Sequence, residues 1–387
     1  MPVTVLPHHC IGGMQSVAWD LARALIRAGV AVTALTAEIA GRPAAFDDDG
    51  VTIRALPGTS WRHYGSGWWR ATRGVFEREL IGSCDLVLSV SAGGFGLLRL
   101  RERMPHVPFV MQAHGTSIGE VVSKWRSRSV RALATSARNV AWIVKDFVAY
   151  PQFDAIVAVG DRVAHDLTAW PARWIVDKNR VRVIRNGIDT GIFRPDSDAG
   201  RRVRADLGWS EDFRVVISAS RLHRQKGVAY GLQAFALLAE HREDLRYLIV
   251  GDGPELQALR ERAVSLEIDD KVHFVGGVAR EAIPGYLNAA DVMMFTTTRV
   301  EGEPLNVLEA LAVGLPTVVS RHLYREGPPS DQILLAKPSD PAAVAAALHR
   351  ALAIPSRRES KLPLGYSAAA SIEQYLELFE ELRERRA

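Results

Sequence analysis

Two carboxylates, Glu301 and Glu309, stand eight positions apart in the segment Thr298 to Leu315, TRVEGEPLNVLEALAVGL. An apolar run at 291–295 precedes them, and a helical pattern begins near Leu305. A helix start presents backbone N–H groups and the positive end of the helix dipole, a setting suited to phosphate. Glu309 falls about one turn into that helix, on the face of Leu305. There it is too far along to repel a phosphate strongly, yet well placed to accept hydrogen bonds from a ribose diol. Glu301, ahead of the helix, is placed to do the same for hydroxyls of a sugar. Two carboxylates flanking a phosphate-binding turn therefore suit a ligand made of nucleoside, diphosphate and sugar.

Two cations occupy a comparable position. Arg221 and Lys226, in SASRLHRQKG, follow the run 214–220, whose carboxyl end is where an open α/β sheet binds ligands. Cations there neutralise a diphosphate and stabilise it as a leaving group. Gly12 and Gly13 come shortly after the first apolar run, and glycines at such a turn let amides approach a ligand closely.

The elements that must hold these groups are read from the hydrophobic pattern. Apolar runs at 214–220, 245–250, 272–275, 291–295, 316–320 and 332–336 alternate with helix-length segments such as 226–241, 254–266 and 340–352. Near-continuous apolar strands joined by helices predict a parallel sheet covered on both faces. The first half repeats the plan, with predicted strands at 3–6, 30–35, 51–56, 85–90, 107–112, 154–159 and 181–184. Met14, Val17, Leu21 and Leu25 share one helical face, and a long helical region covers about 120–149. The Gly-, Asp- and Pro-rich segment Asn186 to Gly200 separates the halves. A polar-faced helix closes the chain at roughly 367–383.

Composition agrees with two ordinary globular domains: 387 residues, 48% hydrophobic and 24% charged. No run approaches the ~20 apolar residues of a membrane helix. Met1 to Leu6 reads as a first strand rather than a leader, so the expected compartment is the cytoplasm. Two cysteines, Cys10 and Cys84, without a Cys/His cluster argue against a disulfide framework or a zinc site. The net charge of +4 is uneven: residues 54–150 hold 14 Lys/Arg and 6 Asp/Glu, or +8, which leaves −4 elsewhere. Eight of the nine Trp residues precede residue 190. The basic, aromatic stretches 61–74 and 123–139 suit either a solvated surface or attachment to anionic lipid. Neither contains a recognisable nucleic-acid module, so no nucleic acid is expected as a partner.

Taken together, EGEPLNVLE resembles the E-x7-E signature of retaining glycosyltransferases, specifically glycosyltransferase family 4. SASRLHRQKG is similar to that family's strand–Arg–x4–Lys–Gly segment, and CIGGMQ to its first glycine loop. VGDGPE, VHFVGGV and NGIDTGIF follow its pattern as well, so the resemblance runs from Ile11 to about Leu352. It implies an α/β GT-B fold, two Rossmann-like domains facing a cleft. The expected domains are 1–190 for the acceptor and 191–364 for the nucleotide-sugar donor, with 365–387 a helix crossing back to the first. By match of position, Glu301 would contact the donor sugar and Glu309 the ribose. The amides of Leu305, Asn306 and Val307 would meet the diphosphate, with Arg221 and Lys226. Gly12 and Gly13 form the glycine loop, and Gly13 would approach the diphosphate from the other domain. His114, in QAHGT, would touch the transferred sugar, and backbone around Gly277 and Val278 would meet the base. The expected activity is hexosyl transfer from a UDP- or GDP-sugar to a hydroxyl of a glycan, glycolipid or small molecule, within polysaccharide or glycoconjugate biosynthesis. The resemblance implies no cofactor and no metal, and a cytoplasmic enzyme, peripheral to the membrane if the basic stretches bind lipid.

This sequence departs from the family pattern in three places. Glu303-Pro304 replaces the usual Phe-Gly or similar pair, RHLYREGPPS replaces Gly-Gly-x-Pro-Glu after the run 316–320, and Gly160 stands where a Ser is common. Other readings compete at single motifs. GTSIG (115–119) satisfies G-x-S-x-G, which makes Ser117 a candidate hydrolase nucleophile; its partners would include a late histidine, His322 or His349. Gly251-Asp252-Gly253 supplies half of a dinucleotide fingerprint, with Leu256 where a third Gly belongs. Asp47-Asp48-Asp49 reads as a solvated turn before Gly50 rather than a metal cluster, and His8 and His9 read as loop residues.

Overall fold

The computed structural model describes every residue except 10–12, 62–63, 118–135, 300, 325–326, 355–358 and 387, with the side chains of 136–140 also outside the description. The chain divides into two compact units. Unit 1 comprises Met1–Gly187 together with Ser367–Ala387, and unit 2 is Ile188–Tyr366.

Unit 1 holds strands β1 (Thr33–Ala37), β2 (Ala45–Asp48), β3 (Val51–Leu56), β4 (Val87–Val90), β5 (Phe109–Ala113), β6 (Ala155–Ala158) and β7 (Val181–Val183). The last four run parallel in the order β4-β5-β6-β7, and β1 pairs parallel with β3. The N-terminal segment joins these two groups. Val3 N–H donates to Leu35 O and Leu35 N–H to Met1 O on one side, and Val90 N–H donates to Pro2 O on the other. The predicted strand at 3–6 is thus present as a parallel ladder displaced toward residues 1–4. Strand β2 was not anticipated: it is antiparallel to β3, and Asp47 and Asp48 lie in it. Asp49 (φ 48°) and Gly50 (φ 80°) then make the turn into β3.

Helices α1 (Gly13–Arg27), α2 (Ser66–Glu79), α3 (Ser136–Ala149) and α4 (Asp161–Thr168) cover this sheet. The predicted helical region 120–149 is described from 136 onward. Gly160 N-caps α4 without a side-chain bond, so this departure from the family costs the helix a cap of the Ser type.

Unit 2 contains α5 (Ser197–Asp206), β8 (Arg214–Ala219), α6 (Val228–Ala239), β9 (Leu245–Val250), α7 (Leu256–Ser265), β10 (Val272–Gly276), α8 (Ile283–Asn288), β11 (Val292–Phe295), α9 (Leu305–Ala312), β12 (Thr317–Ser320), β13 (Ile333–Ala336) and α10 (Pro341–Leu352). Its six strands are all parallel, in the order β10-β9-β8-β11-β12-β13. The continuous apolar runs have a simple cause. Val216, Tyr247 and Met294 enter the core on one face, under α6 and α10. Val215, Ile217, Leu248 and Met293 enter the core on the other, with Val307, Leu308 and Leu311 of α9. Each such aliphatic side chain contributes about 1.5–3 kcal/mol of burial.

The chain leaves unit 1 after Gly187 and returns at Ser367. There α11 (Ala368–Glu384) packs Ile372, Tyr375, Leu378 and Leu382 into the core shared with α1. Ser371 Oγ donates to Arg185 O, and a Cβ on Gly187 would lie 2.6 Å from Ala368 Cα, so only glycine admits this approach.

Candidate functional site

In unit 2 the chemistry-bearing residues lie at the carboxyl ends of β8 and β11. The loop after β8 is clasped from beneath by the loop after β9. Leu222 N–H donates to Asp252 O and Glu255 N–H to Leu222 O. A Cβ on Gly251 (φ 141°) would meet Ser220 O at 2.0 Å, and one on Gly253 (φ 159°) would meet Leu222 O at 2.2 Å. These two glycines therefore serve the packing of the Arg221 loop, which accounts for the half-fingerprint without a dinucleotide. Arg221 itself is exposed, and among the described residues no carboxylate pairs with its guanidinium.

Lys226 is positioned by its neighbours. Gly227 (φ 72°) presses against β11's continuation so closely that a Cβ would sit 1.9 Å from Thr296 O. Thr296 Oγ1 donates to Gly227 O, and Thr298 N–H and Thr297 Oγ1 both donate to Gln225 O. Stitched in this way, the two loops place Lys226 Nζ 2.9 Å from Glu301 Oε1, above the Phe295 ring. Thr297 Oγ1 lies 3.3 Å from the same oxygen.

The second carboxylate has a partner of its own. Glu309, 5% exposed, lies 2.8 Å from Arg280 Nη1, and the Arg280 guanidinium also covers the Phe193 ring. Sequence reasoning missed Arg280. It follows Gly277 and Val278 in the turn after β10, and nothing in local periodicity ties that turn to α9.

Between the two pairs stands the start of α9. Pro304 is its N-cap residue, with no side-chain cap, and the Pro304 carbonyl takes the Val307 N–H. Leu305 and Asn306 occupy the first two helical positions, whose amides the helix cannot satisfy. Asn306 Nδ2 donates to Ala219 O at 3.1 Å and holds this helix start against the end of β8, beside the Arg221 loop. Gly277 is exposed and Val278 half-buried, immediately after Gly276 (φ 86°), whose carbonyl accepts from Gly251 N–H. Arg221, Lys226 and Glu301, on two stitched loops, thus adjoin the start of α9, which carries Asn306 and Glu309. Arg299 O, in the same loop as Glu301, accepts from His322 Nε2, in the segment that replaces the family's Gly-Gly-x-Pro-Glu.

Unit 1 contributes a separate group. Gly13 is the first residue of α1; Gly12 lies outside the described residues. His114, at the end of β5, is bonded through Nε2 to Gln112 Oε1 (3.0 Å), and Gln112 Nε2 donates to Tyr375 OH (2.9 Å) on α11. That chain places the imidazole proton on Nε2 and leaves Nδ1 an acceptor. Burial lowers the His114 pKa to about 4, so the ring is neutral at physiological pH. Ser117 N–H donates to buried Asp146, whose pKa burial raises. Ser117 shows no hydrogen bond to a histidine among the described residues, His322 is engaged as above, and exposed His349 sits in α10, so no hydrolase triad is assembled. His8 pairs with Asp48 at 2.7 Å, while His9 bonds Leu6 N–H and Ala37 O, which makes both residues braces of the first loop. In the stretch 61–74, Trp68 Nε1 donates to Gly93 O and Trp69 Nε1 to Ala92 O, so both indole nitrogens serve packing. Most of 123–139 lies outside the described residues.

Solved structures share this architecture. Sucrose-phosphate synthase from Thermosynechococcus elongatus superposes with a TM-score of 0.79 at 21% identity, over 98% of this chain and 96% of that one. Anabaena HepE in complex with UDP gives 0.70 at 15% identity, over 96% of both chains. At such identities the likeness establishes the fold, GT-B with its two Rossmann-like units. Closer in sequence are the alpha-monoglucosyldiacylglycerol synthase of Streptococcus pneumoniae, 33% identical over 155 residues, and a GDP-mannose-dependent phosphatidylinositol monomannoside mannosyltransferase of Mycolicibacterium smegmatis, 38% identical over 141. Those alignments cover 39% and 35% of this chain, and this chain spans only 35% and 37% of those relatives' lengths. The model described as Glycosyltransferase Family 4 matches residues 11–191, and that described as Glycosyl transferases group 1 matches 201–362. With the two models in tandem along both units, the chain belongs to glycosyltransferase family 4.

Proposed function

We propose that this protein is a retaining glycosyltransferase that moves a hexose from a UDP- or GDP-sugar to a hydroxyl of a glycan, glycolipid or small-molecule acceptor. The observation that carries the reading is the double pairing around the α9 start, Glu301 with Lys226 and Glu309 with Arg280. The activities for which similar proteins are named support it. One is GDP-mannose-dependent, one makes a glucosyl lipid, and Anabaena HepE has been solved with UDP-glucose.

In this reading the diphosphate lies over the amides of Leu305 and Asn306, with Val307 joining if its bonds to Pro304 O and Asn306 Oδ1 open. Lys226 exchanges Glu301 for a diphosphate oxygen, Arg221 adds a second charge, and Glu301 is released to accept from sugar hydroxyls. Glu309, held by Arg280, accepts from the ribose, and backbone at Gly277 and Val278 meets the base. The bond from the sugar's anomeric carbon to the diphosphate oxygen breaks with its electron pair on that oxygen. The acceptor oxygen bonds to the same face of the carbon, and its proton passes to the departing oxygen. No protein nucleophile is required. Arg221 and Lys226 stabilise charge that develops only in the transition state, so their effect falls on turnover. In unit 1, neutral His114 offers Nδ1 to a sugar hydroxyl. The mechanism calls for neither cofactor nor metal, and enzyme treated with a chelator should keep its turnover.

Two measurements test the proposal. A thermal-shift panel of nucleotide-diphosphate sugars should give a stabilising donor. The product made from that donor should then keep the donor's anomeric configuration by NMR; an inverted product would refute retention.

A further inference from the structure

Two tryptophans break the rule that large aromatic side chains are covered. Trp170 and Trp174 are 73% and 72% exposed, whereas Trp19 and Trp68 are 8% and 3% exposed. We infer that the turn carrying them docks unit 1 onto an anionic lipid surface.

The turn is ordered rather than loose. Arg173 N–H donates to Ala169 O, Trp174 N–H to Pro171 O, and both Ile175 and Val176 N–H to Ala172 O. Ala172 and Val176 are buried and anchor it, in reach of the core that holds Leu167. Trp170 and Trp174 stand four positions apart in this turn, both exposed on a base that those bonds fix.

Its surroundings are cationic. Arg173 and Lys178 are exposed, and among the described residues neither has a carboxylate partner. Arg180 bonds the carbonyls of Pro151 and Phe153 and so retains its charge, while the nearby acid, Asp177, accepts from Asn179 N–H. On α3, Val144 and Val148, one helical turn apart, are also exposed, by 59% and 65%.

The occupant follows from size and chemistry. Two tryptophans cover about 300–500 Å², below the roughly 800 Å² per partner of a stable protein interface. A lipid headgroup layer needs no complementary partner, takes an indole with its apolar face inward and its N–H wet, and attracts unpaired cations. No helix among the described residues is long and apolar enough to cross a membrane, so this contact would be peripheral. The turn leads into β7 and therefore sits at the amino-terminal edge of the sheet, opposite the carboxyl edge that carries His114. Docking there leaves the ligand-binding edge open. The inference is independent of the donor-site reading.

The test is cosedimentation of the full chain with phosphatidylcholine vesicles, with and without about 30% phosphatidylglycerol. Binding should require the anionic lipid and weaken with salt. The double variant Trp170→Ala/Trp174→Ala should lose roughly tenfold in affinity, with an unchanged melting temperature. The charge variant Arg173→Glu/Lys178→Glu, which keeps both indoles, should lose binding as well. Absence of binding by the natural chain, or binding by either double variant as tight as that of the natural chain, would overturn the inference. So would a Trp170- and Trp174-dependent dimer in sedimentation velocity without vesicle binding, since the turn would then be a protein interface.

Discussion

Arg280 and Glu309 are 29 residues apart in sequence, yet Nη1 and Oε1 meet at 2.8 Å. The pair joins the turn after β10 to the face of α9, the two elements assigned above to the base and the ribose. Because Glu309 is buried, the Arg280 guanidinium compensates a charge that water does not reach. In the proposed reading Arg280 is a positioning residue, acting on the ligand through Glu309.

Replacing Arg280 should therefore leave a signature in pH. In Arg280→Met the buried carboxylate loses its counter-charge, and desolvation favours its protonated form. Nucleoside diphosphate affinity should fall about 10- to 100-fold at pH 7 and depend on pH more steeply than in the natural enzyme. Arg280→Lys should restore part of the affinity. Calorimetric titration across pH checks both, and an unchanged pH dependence in Arg280→Met would assign Arg280 to packing alone.

Lys226 and Arg221 are predicted to act on the rate. Lys226→Ala removes a diphosphate partner and leaves Glu301 facing the phosphates without its 2.9 Å counter-ion. Turnover should drop about 100- to 1,000-fold, and Arg221→Ala should reduce it less, because that side chain is exposed and its charge is screened by solvent. Steady-state kinetics separate the effects: a change confined to KM in both variants would contradict the assignment.

Gly227 and Gly208 form a matched comparison. Both have positive φ, 72° and 68°, but a Cβ on Gly208 meets nothing within 4 Å, whereas one on Gly227 strikes Thr296 O at 1.9 Å. Gly208→Ala should cost about 1 kcal/mol of unit 2 stability, and Gly227→Ala roughly 3 kcal/mol or more. Urea unfolding gives both values. Equal losses would mean that the Lys226 loop can move away from β11 without penalty.

The stitching around Gly227 also shows what was legible in the sequence. The strands of unit 2 were readable because both faces are buried, which writes each strand as an unbroken apolar run. Glu301 and Glu309 were readable because a strand end and a helix start fix their spacing. The bond from Lys226 to Glu301 was not, since it depends on Thr296, Thr297 and Thr298 reaching across to the 225–227 backbone. Arg280 escaped for the same reason, as a contact between two loops with no shared period. β2 escaped because AFDD is half-exposed and polar at its end, so its pairing with β3 leaves no apolar alternation. The Gly251-Asp252-Gly253 motif was ambiguous until the close approach of Ser220 O and Leu222 O gave both glycines a packing role.

Acid should weaken unit 1 through His114. Its folded pKa is about 4 against an ordinary 6.5, so below pH 6.5 the unfolded ring takes up a proton that the folded ring refuses. Stability is therefore complete above pH 6.5, falls between pH 6.5 and 4, and loses nothing further from this group below 4. The contribution is roughly 1–3 kcal/mol. His9, lowered in the same direction by burial, adds to the slope, so the comparison is with His114→Asn. That variant should show a flatter dependence in the same window; identical slopes would remove His114 from the account.

In the proposed function, Glu309 and its neighbours bind the nucleotide part of a sugar donor. Calorimetric titration of UDP and GDP into the natural protein and into Glu309→Ala tests it most directly. One of the two nucleotides should bind the natural protein in the micromolar range, on the order of 8 kcal/mol, and bind Glu309→Ala at least about tenfold more weakly. Binding of neither nucleotide, or equal binding by both proteins, would contradict it.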